Sequence, residues 1–282
     1  MSTKGKRLDL LLEEQGYFQS RQHAKTAIMD GNILVNGEKI TKPGTPIKDG
    51  AKIEIVGKQA LKYVSRGGYK LEKALQDFNI NPEARFCLDV GASTGGFTDC
   101  LLKAGAGYVY AVDVGYGQIA WSLRSDPRVR VIERCNARNM SPEILQSEPS
   151  QESTPDLAVI DVSFISLLKV LAAVKSCLAA DAEIIALVKP QFEAGPDKVG
   201  KKGVVRSAEV HSEVIEKIVN ESQKLGLYSN KLTFSPLKGP EGNIEFLLLL
   251  KTKVCETLDK AKIDEEVQAA QACLIQKTEK IS

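Results

Sequence analysis

The chain has 282 residues, 43% of them apolar and 26% charged, a balance that fits a folded globular protein and argues against disorder. Its longest apolar runs, 184–188 and 246–250, fall far short of the roughly 20 residues that span a bilayer. The basic start of the chain leads into a short stretch broken by Asp9, Glu13 and Glu14, which is not a signal peptide. Six scattered cysteines form no CxxC pair and there are only two histidines, so zinc-site spacing is absent. No metal is expected, and the thiols read as reduced cysteines of a cytoplasmic protein.

The net charge of +2 hides an asymmetry, because residues 1–65 hold eleven Lys/Arg against seven Asp/Glu and the rest hold 27 against 29. A compact basic segment points to a polyanion partner, although a solvated, mildly basic surface would look the same. Within residues 6–30 the apolar spacing predicts two helices, Leu8, Leu11 and Leu12 marking one face and Ala24, Ala27 and Ile28 another, with Ser20 as the cap of the second. Asp30-Gly31-Asn32 is a turn. Residues 33–35 and 39–41 flank Asn36-Gly37, a strong short hairpin signal. After Asp49-Gly50, residues 52–56 alternate as a half-buried strand.

Arg7-Leu8-Asp9, Ser20-Arg21-Gln22-His23-Ala24-Lys25, the 28–37 segment and Asp49-Gly50-Ala51-Lys52-Ile53 together resemble the small RNA-binding module named for the fourth ribosomal protein of the small subunit. That resemblance covers residues 6–57 and makes Arg7, Arg21, Gln22 and Lys25 candidate RNA contacts. Contacts of this kind to phosphate give salt-dependent affinity rather than sequence reading.

Residues 61–66 read as a linker, and Leu71, Ala74, Leu75 and Phe78 fit a short helix beyond it. From Phe86 the pattern alternates between strand and helix: strands at 86–90, 108–112, 129–132, up to Asp161, up to Lys189 and at 246–250, with helices at 96–103 and 208–225. Residues 147–155 read as a loop, 193–206 as a long mobile Gly- and Lys-rich loop, and 256–277 as a charged helical tail. The expected architecture is an α/β protein with helices on both faces of a mostly parallel sheet, preceded by a small α+β domain. The domains are expected at 1–60 and 67–253, with a tail at 254–282.

Leu88-Asp89-Val90-Gly91-Ala92-Ser93-Thr94-Gly95-Gly96-Phe97 is a strand, a glycine turn and a helix start, which lets a ligand approach the backbone at a helix N-terminus. A dinucleotide needs a second glycine where Ser93 stands, whereas S-adenosylmethionine has no phosphate and needs none there. Its positive charges suit an acid such as Asp89. Glycine turns also serve only to pack a helix on a strand. Asp113 ends the next strand, where an acid can hold a ribose diol, and Asn136 follows the third strand, where an amide can meet the adenine edge or simply sit in a solvated loop.

An Asp161 and a Lys189 that end buried strands face a ligand crevice in this class of sheet. Lys70, Asp161, Lys189 and Glu245 each have an ordinary explanation as surface charges or a structural ion pair. Together they resemble the Lys-Asp-Lys-Glu set of the FtsJ-type ribose 2′-O-methyltransferases. With the glycine turn, Asp161-Val162-Ser163-Phe164-Ile165-Ser166, Val188-Lys189-Pro190-Gln191-Phe192-Glu193 and Gly242-Asn243-Ile244-Glu245, the chain resembles the TlyA family of rRNA methyltransferases, some of which are labelled haemolysins.

The resemblance implies a Rossmann-like class I methyltransferase sheet and S-adenosylmethionine as cofactor. It also implies methylation of ribose 2′-hydroxyls, cytidine above all, in ribosomal RNA or ribosomal subunits, with no membrane partner. Asp89, Gly91, Ala92, Ser93, Thr94, Gly95, Gly96, Phe97, Asp113 and Asn136 would form the cofactor site. Lys189 would take the hydroxyl proton or orient the attacking oxygen, Asp161 and Glu245 would fix Lys189, and Lys70 would hold the substrate. The alternatives are a non-catalytic RNA-binding or assembly factor, a haemolysin, and a dehydrogenase, which Ser93 disfavours.

Overall fold

Continuous runs of Val, Ile, Leu and Ala set the strand order of this protein, because only a strand covered on both faces can be apolar at every position. The computed structural model describes residues 5–18, 21–29, 31–48, 50–56, 62–146, 154–200, 202–239 and 241–279. Ser20, Asp30, Asp49, residues 57–61 and residues 147–153 lie outside them. The chain forms two compact units, Met1–Lys62 and Tyr63–Ser282.

The first unit contains β1 (Lys6–Arg7), α1 (Leu8–Glu14), α2 (Arg21–Met29), β2 (Ile33–Val35), β3 (Glu38–Ile40), β4 (Pro46–Ile47) and β5 (Ile53–Ile55). Strands order as β3-β2-β5, and β1 pairs with β4. The Asn36-Gly37 turn closes the β2–β3 hairpin with φ of 53° and 83°, the left-handed geometry that Asn and Gly tolerate best. Leu8, Leu12, Ala24, Ala27, Ile28, Ile33, Val35 and Ile47 form its core.

The second unit runs α3 (Gly67–Phe78), β6 (Phe86–Val90), α4 (Gly96–Lys103), β7 (Tyr108–Val112), α5 (Trp121–Arg124), β8 (Val129–Ile132), α6 (Pro142–Gln146) and β9 (Leu157–Ile160). It continues with α7 (Leu168–Ser176), β10 (Glu183–Val188), α8 (Pro190–Glu193), α9 (Ala208–Lys224), β11 (Tyr228–Phe234), β12 (Phe246–Lys251) and α10 (Lys260–Glu279). The seven strands order as β11-β12-β10-β9-β6-β7-β8. β6 to β10 are parallel, and β12 and β11 are antiparallel additions.

Alternate residues of each strand feed opposite cores. Leu88, Val90, Ala158 and Ile160 face one that includes α7, α9 and α10 residues. Cys87, Leu157 and Val159 face the other, with Leu71, Phe78, Phe97 and Leu101. The strand order reverses between β6 and β9, which makes the crevice at their carboxyl ends the topological switch point.

Four segments differ from the sequence reading. Tyr63, expected in a linker, is 4% exposed and packs in the second core, while Val64 N donates to Asp99 Oδ2 at 2.8 Å. The 193–206 segment, expected as one long loop, holds the end of α8, a 3₁₀ turn at Pro196–Lys198 and a bridge between Gly200 and Val204. Its Val204 and Val205 are buried. β11 was not expected, because a bulge between Ser229 and Lys231 breaks its alternation. The helix of the tail buries Ile263, Val267, Ala270 and Leu274 in the core shared with α9, and its half-buried Glu266 accepts from Phe234 N at 3.0 Å.

Candidate active site

The crevice at the switch point is closed down to backbone contact. A Cβ at Gly91 would lie 2.5 Å from the Asp161 carbonyl oxygen, so only glycine lets the turn after β6 pass the turn after β9. Gly91, Ser93 and Gly95 have φ of 89°, 49° and 94°, and this left-handed turn delivers the chain into α4. Ala92 and Phe97 pack in the core beneath, Gly96 abuts Ser65 and the Gly68 backbone, and the Thr94 carbonyl accepts from Ala120 N.

Asp89, under this turn, is wholly buried. Its Oδ2 accepts from Thr98 Oγ1 at 2.6 Å, but its buried Oδ1 has no hydrogen-bond partner among the described residues. Burial, joined by the negative charges of Asp161 and Asp113, pushes its carboxyl up to about 7 against the pull of the Thr98 hydrogen bond. A buried carboxylate with one oxygen left over is a place for a cationic ligand. Asp113 lies at the end of β7, where Oδ2 accepts from Ser93 N at 2.8 Å and Oδ1 from Gly115 N at 2.6 Å. Asn136 Oδ1 accepts from Arg138 N at 3.1 Å and caps a 3₁₀ turn.

The four candidate catalytic residues form two ion pairs. Lys189 Nζ lies 2.5 Å from Asp161 Oδ1 and donates to Ser163 Oγ at 2.8 Å. Asp161 Oδ1 accepts no aligned hydrogen bond, so charge rather than hydrogen-bond geometry holds that contact. Glu245, expected to fix Lys189, pairs instead with Lys70, whose Nζ, from the first turn of α3, donates to Glu245 Oε2 at 2.5 Å.

Register explains the second pair's location: Val188 pairs with Phe246 in antiparallel fashion, so Lys189 and Glu245 follow and precede that pair at one end of the sheet. A Cβ at Gly239 would lie 2.5 Å from Glu245 Oε1, so glycine there leaves room for the carboxylate. Asn243 staples the neighbouring segment, its Oδ1 accepting from Val205 N and its Nδ2 donating to the Gly203 carbonyl, both at 2.9 Å. Glu193 ties the Asp161 segment to the Lys189 segment, accepting from Leu167 N at 2.6 Å and Ser166 Oγ at 2.8 Å, and burial raises its pKa.

Comparison with known proteins decides the family. The model of the FtsJ-like methyltransferase family matches residues 63–252, and that of the S4 domain matches residues 6–53. The chain belongs to the FtsJ-like methyltransferase family. The 16S/23S rRNA (cytidine-2′-O)-methyltransferase TlyA of Mycobacterium tuberculosis is 43% identical over 264 residues, covering 94% of this chain and 96% of its own. Hemolysin A of Brachyspira hyodysenteriae is 43% identical over 241 residues, covering 86% and 98%. A solved Streptococcus thermophilus structure described as a hemolysin superposes with a TM-score of 0.77 at 42% identity, over 99% of this chain and 100% of that one.

In the S4 domain the sequence-predicted contacts have an organiser that sequence reading missed. Asp9 is fully buried, and Arg7 Nε and Nη2 donate to its Oδ1 and Oδ2 at 3.0 Å while Arg21 Nε donates to Oδ2 at 2.8 Å. The Arg7 guanidinium beside it, then that of Arg21, hold the Asp9 carboxyl down at about 2 despite its burial. Gln22 is exposed and Lys25 half-buried, one turn from Arg21 on α2. Ser163 was missed in the FtsJ-like domain because a serine in a loop carries no signal without its lysine. Among the described residues no His, Cys, Asp or Glu group could hold a metal, and no helix is long and apolar enough to cross a membrane.

Proposed function

We propose that this protein uses S-adenosylmethionine to methylate the 2′-hydroxyl of cytidine ribose in ribosomal RNA, in the cytoplasm. The observation that carries the reading is Lys189 Nζ, set between Asp161 and Ser163 at the mouth of the switch-point crevice, with the Lys70–Glu245 pair at the same end of the sheet. The FtsJ-like family and the relatives named as cytidine 2′-O-methyltransferases support the substrate class. The S4 domain supports RNA as the partner.

The residues present fit the cofactor. The unpartnered Asp89 Oδ1 suits a cation, the left-handed turn 91–95 gives close backbone approach, and Asp113 lies where a ribose diol would be held. Asn136 would present its amide to the adenine edge. When bound, S-adenosylmethionine supplies an electrophilic methyl on a sulfonium.

The protein's part is to bring the 2′-oxygen into line and to receive its proton. Lys189 is placed for both, since Asp161 and Ser163 fix Nζ from two sides. Lys70, clamped by a Glu245 that is 1% exposed, would hold the ribose-phosphate. Alignment of an in-line displacement supplies much of such a rate. The domain division at 62/63 gives each task its own unit, RNA capture in the first and transfer in the second.

The test compares ribose methylation in ribosomal RNA of cells with and without this protein. Cytidine 2′-O-methyl marks that vanish with the gene and return with the wild-type chain, but not with Lys189→Ala, are expected. An unchanged methylation map would refute the reading.

A further inference from the structure

We propose that Tyr116, Trp121 and Arg134 form a nucleobase-stacking surface beside the cofactor crevice, on which unpaired bases of the RNA substrate lie. The inference rests on the RNA-methyltransferase reading and adds a substrate subsite to it.

The segment after Asp113 is firmly held. Ala120 N donates to the Thr94 carbonyl at 3.2 Å, Gly117 N to Glu133 Oε1 at 2.7 Å, and Arg134 N to the Gly115 carbonyl at 3.1 Å. Ile119 and Leu123 fill the space that a side chain at Gly95 would need, so the segment packs directly on the glycine turn. They are 7% and 4% exposed, so the segment has a core face and uses it. Yet Tyr116 is 68% exposed and Trp121 78% exposed. Aromatic rings of this size held in water on an anchored segment mark a surface for a partner.

The chemistry around them selects the partner. The Arg134 guanidinium lies 4.4 Å from the Tyr116 ring centroid, a planar cation against a planar ring. Among the described residues Arg134 makes no ion pair, because the adjacent Glu133 is engaged by Arg124 and Gly117 N. Flat aromatic faces with an uncommitted guanidinium complement a base and its phosphate, the groups that single-stranded nucleic acid offers. An apolar protein partner would leave that charge unanswered.

Trp121 is the chain's single tryptophan, so its fluorescence reports on this surface alone. The full-length protein would be titrated with an unstructured RNA oligonucleotide of about twelve nucleotides and, separately, with S-adenosylhomocysteine. RNA is expected to quench Trp121 and S-adenosylhomocysteine to leave it unchanged. Trp121→Ala and Tyr116→Ala should each raise the KM for ribosomal RNA roughly ten-fold, the scale of one lost base stack. Cofactor affinity should be unchanged, and Trp121→Phe should retain most of the function.

Cofactor affinity that falls in Trp121→Ala while the RNA KM holds would overturn the proposal in favour of a cover over the cofactor. A dimer that dissociates in that variant would overturn it in favour of a contact between copies. Quenching by RNA in a protein that transfers no methyl would remove the catalytic reading and leave the surface standing.

Discussion

Asp89 should link cofactor binding to pH. Its carboxyl sits at about 7 because it is wholly buried, and its Oδ1 lacks a partner. Against an ordinary carboxyl near 3.8, this disfavours the ionised form in the free protein by about 4 kcal/mol. The folded pKa is raised, so the protonated form favours folding at low pH, and that contribution is lost as pH rises from about 4 through about 7.

A cationic cofactor on Oδ1 would favour the carboxylate, so its binding would expel the proton. With a pKa of about 7, about a tenth of the free protein is ionised at pH 6 and about three quarters at pH 7.5, so the apparent affinity for S-adenosylmethionine should rise about eight-fold over that range. Titration calorimetry at pH 6 in two buffers of different ionisation enthalpy should show close to one proton released per cofactor bound. Asp89→Asn should bind more weakly at pH 7.5 and lose the pH dependence. An affinity that is flat from pH 6 to 7.5 with no proton released would refute the assignment of Oδ1 to the cofactor.

Three further outcomes follow from the same geometry. Lys189→Ala should lower turnover by about 10²–10⁴-fold with cofactor affinity intact, and turnover above half of wild type would remove Lys189 from the chemistry. Asp113→Ala should weaken cofactor binding, read by calorimetry, since it removes the carboxylate that also holds Ser93 N and Gly115 N, and unchanged cofactor affinity would rule this contact out. Asp9→Asn adds positive charge to the S4 domain, so charge alone predicts tighter RNA binding. Loss of the fork that sets Arg7 and Arg21 predicts weaker binding, by about three- to ten-fold, and a filter-binding gain would show that orientation is unimportant. With its carboxyl held at about 2, Asp9 also contributes about 1–2 kcal/mol of stability, after screening of its half-exposed arginines, present above about pH 4 and lost as pH falls through 2.

Most of the parallel sheet was legible because strands buried on both faces, β9 and β10 above all, read as nearly unbroken apolar runs. The polar residue that ends such a run therefore stands out, as Asp161 and Lys189 do after β9 and β10. The Asn36-Gly37 hairpin was legible for a local reason, the positive φ at both positions. β11 was hidden by a bulge, and the order in 193–206 by its dependence on a distant staple, Asn243. The meeting of Asp161 with Lys189 was legible from the two strand ends, but the partner of Glu245 was not: expected to fix Lys189, it meets Lys70 instead, a choice made by the antiparallel register of β12 and the start of α3. The roles of Ser163 and Asp9 are visible only once partners from elsewhere in the sequence arrive.

The central claim is ribose methylation at the Lys189 crevice. The most direct measurement incubates purified protein with labelled S-adenosylmethionine and ribosomal subunits from cells lacking it, digests the RNA to nucleosides and identifies the labelled product by mass. The account predicts label in 2′-O-methylcytidine, lost in Lys189→Ala. Label in a base-methylated nucleoside, or equal label from the Lys189→Ala protein, would contradict it.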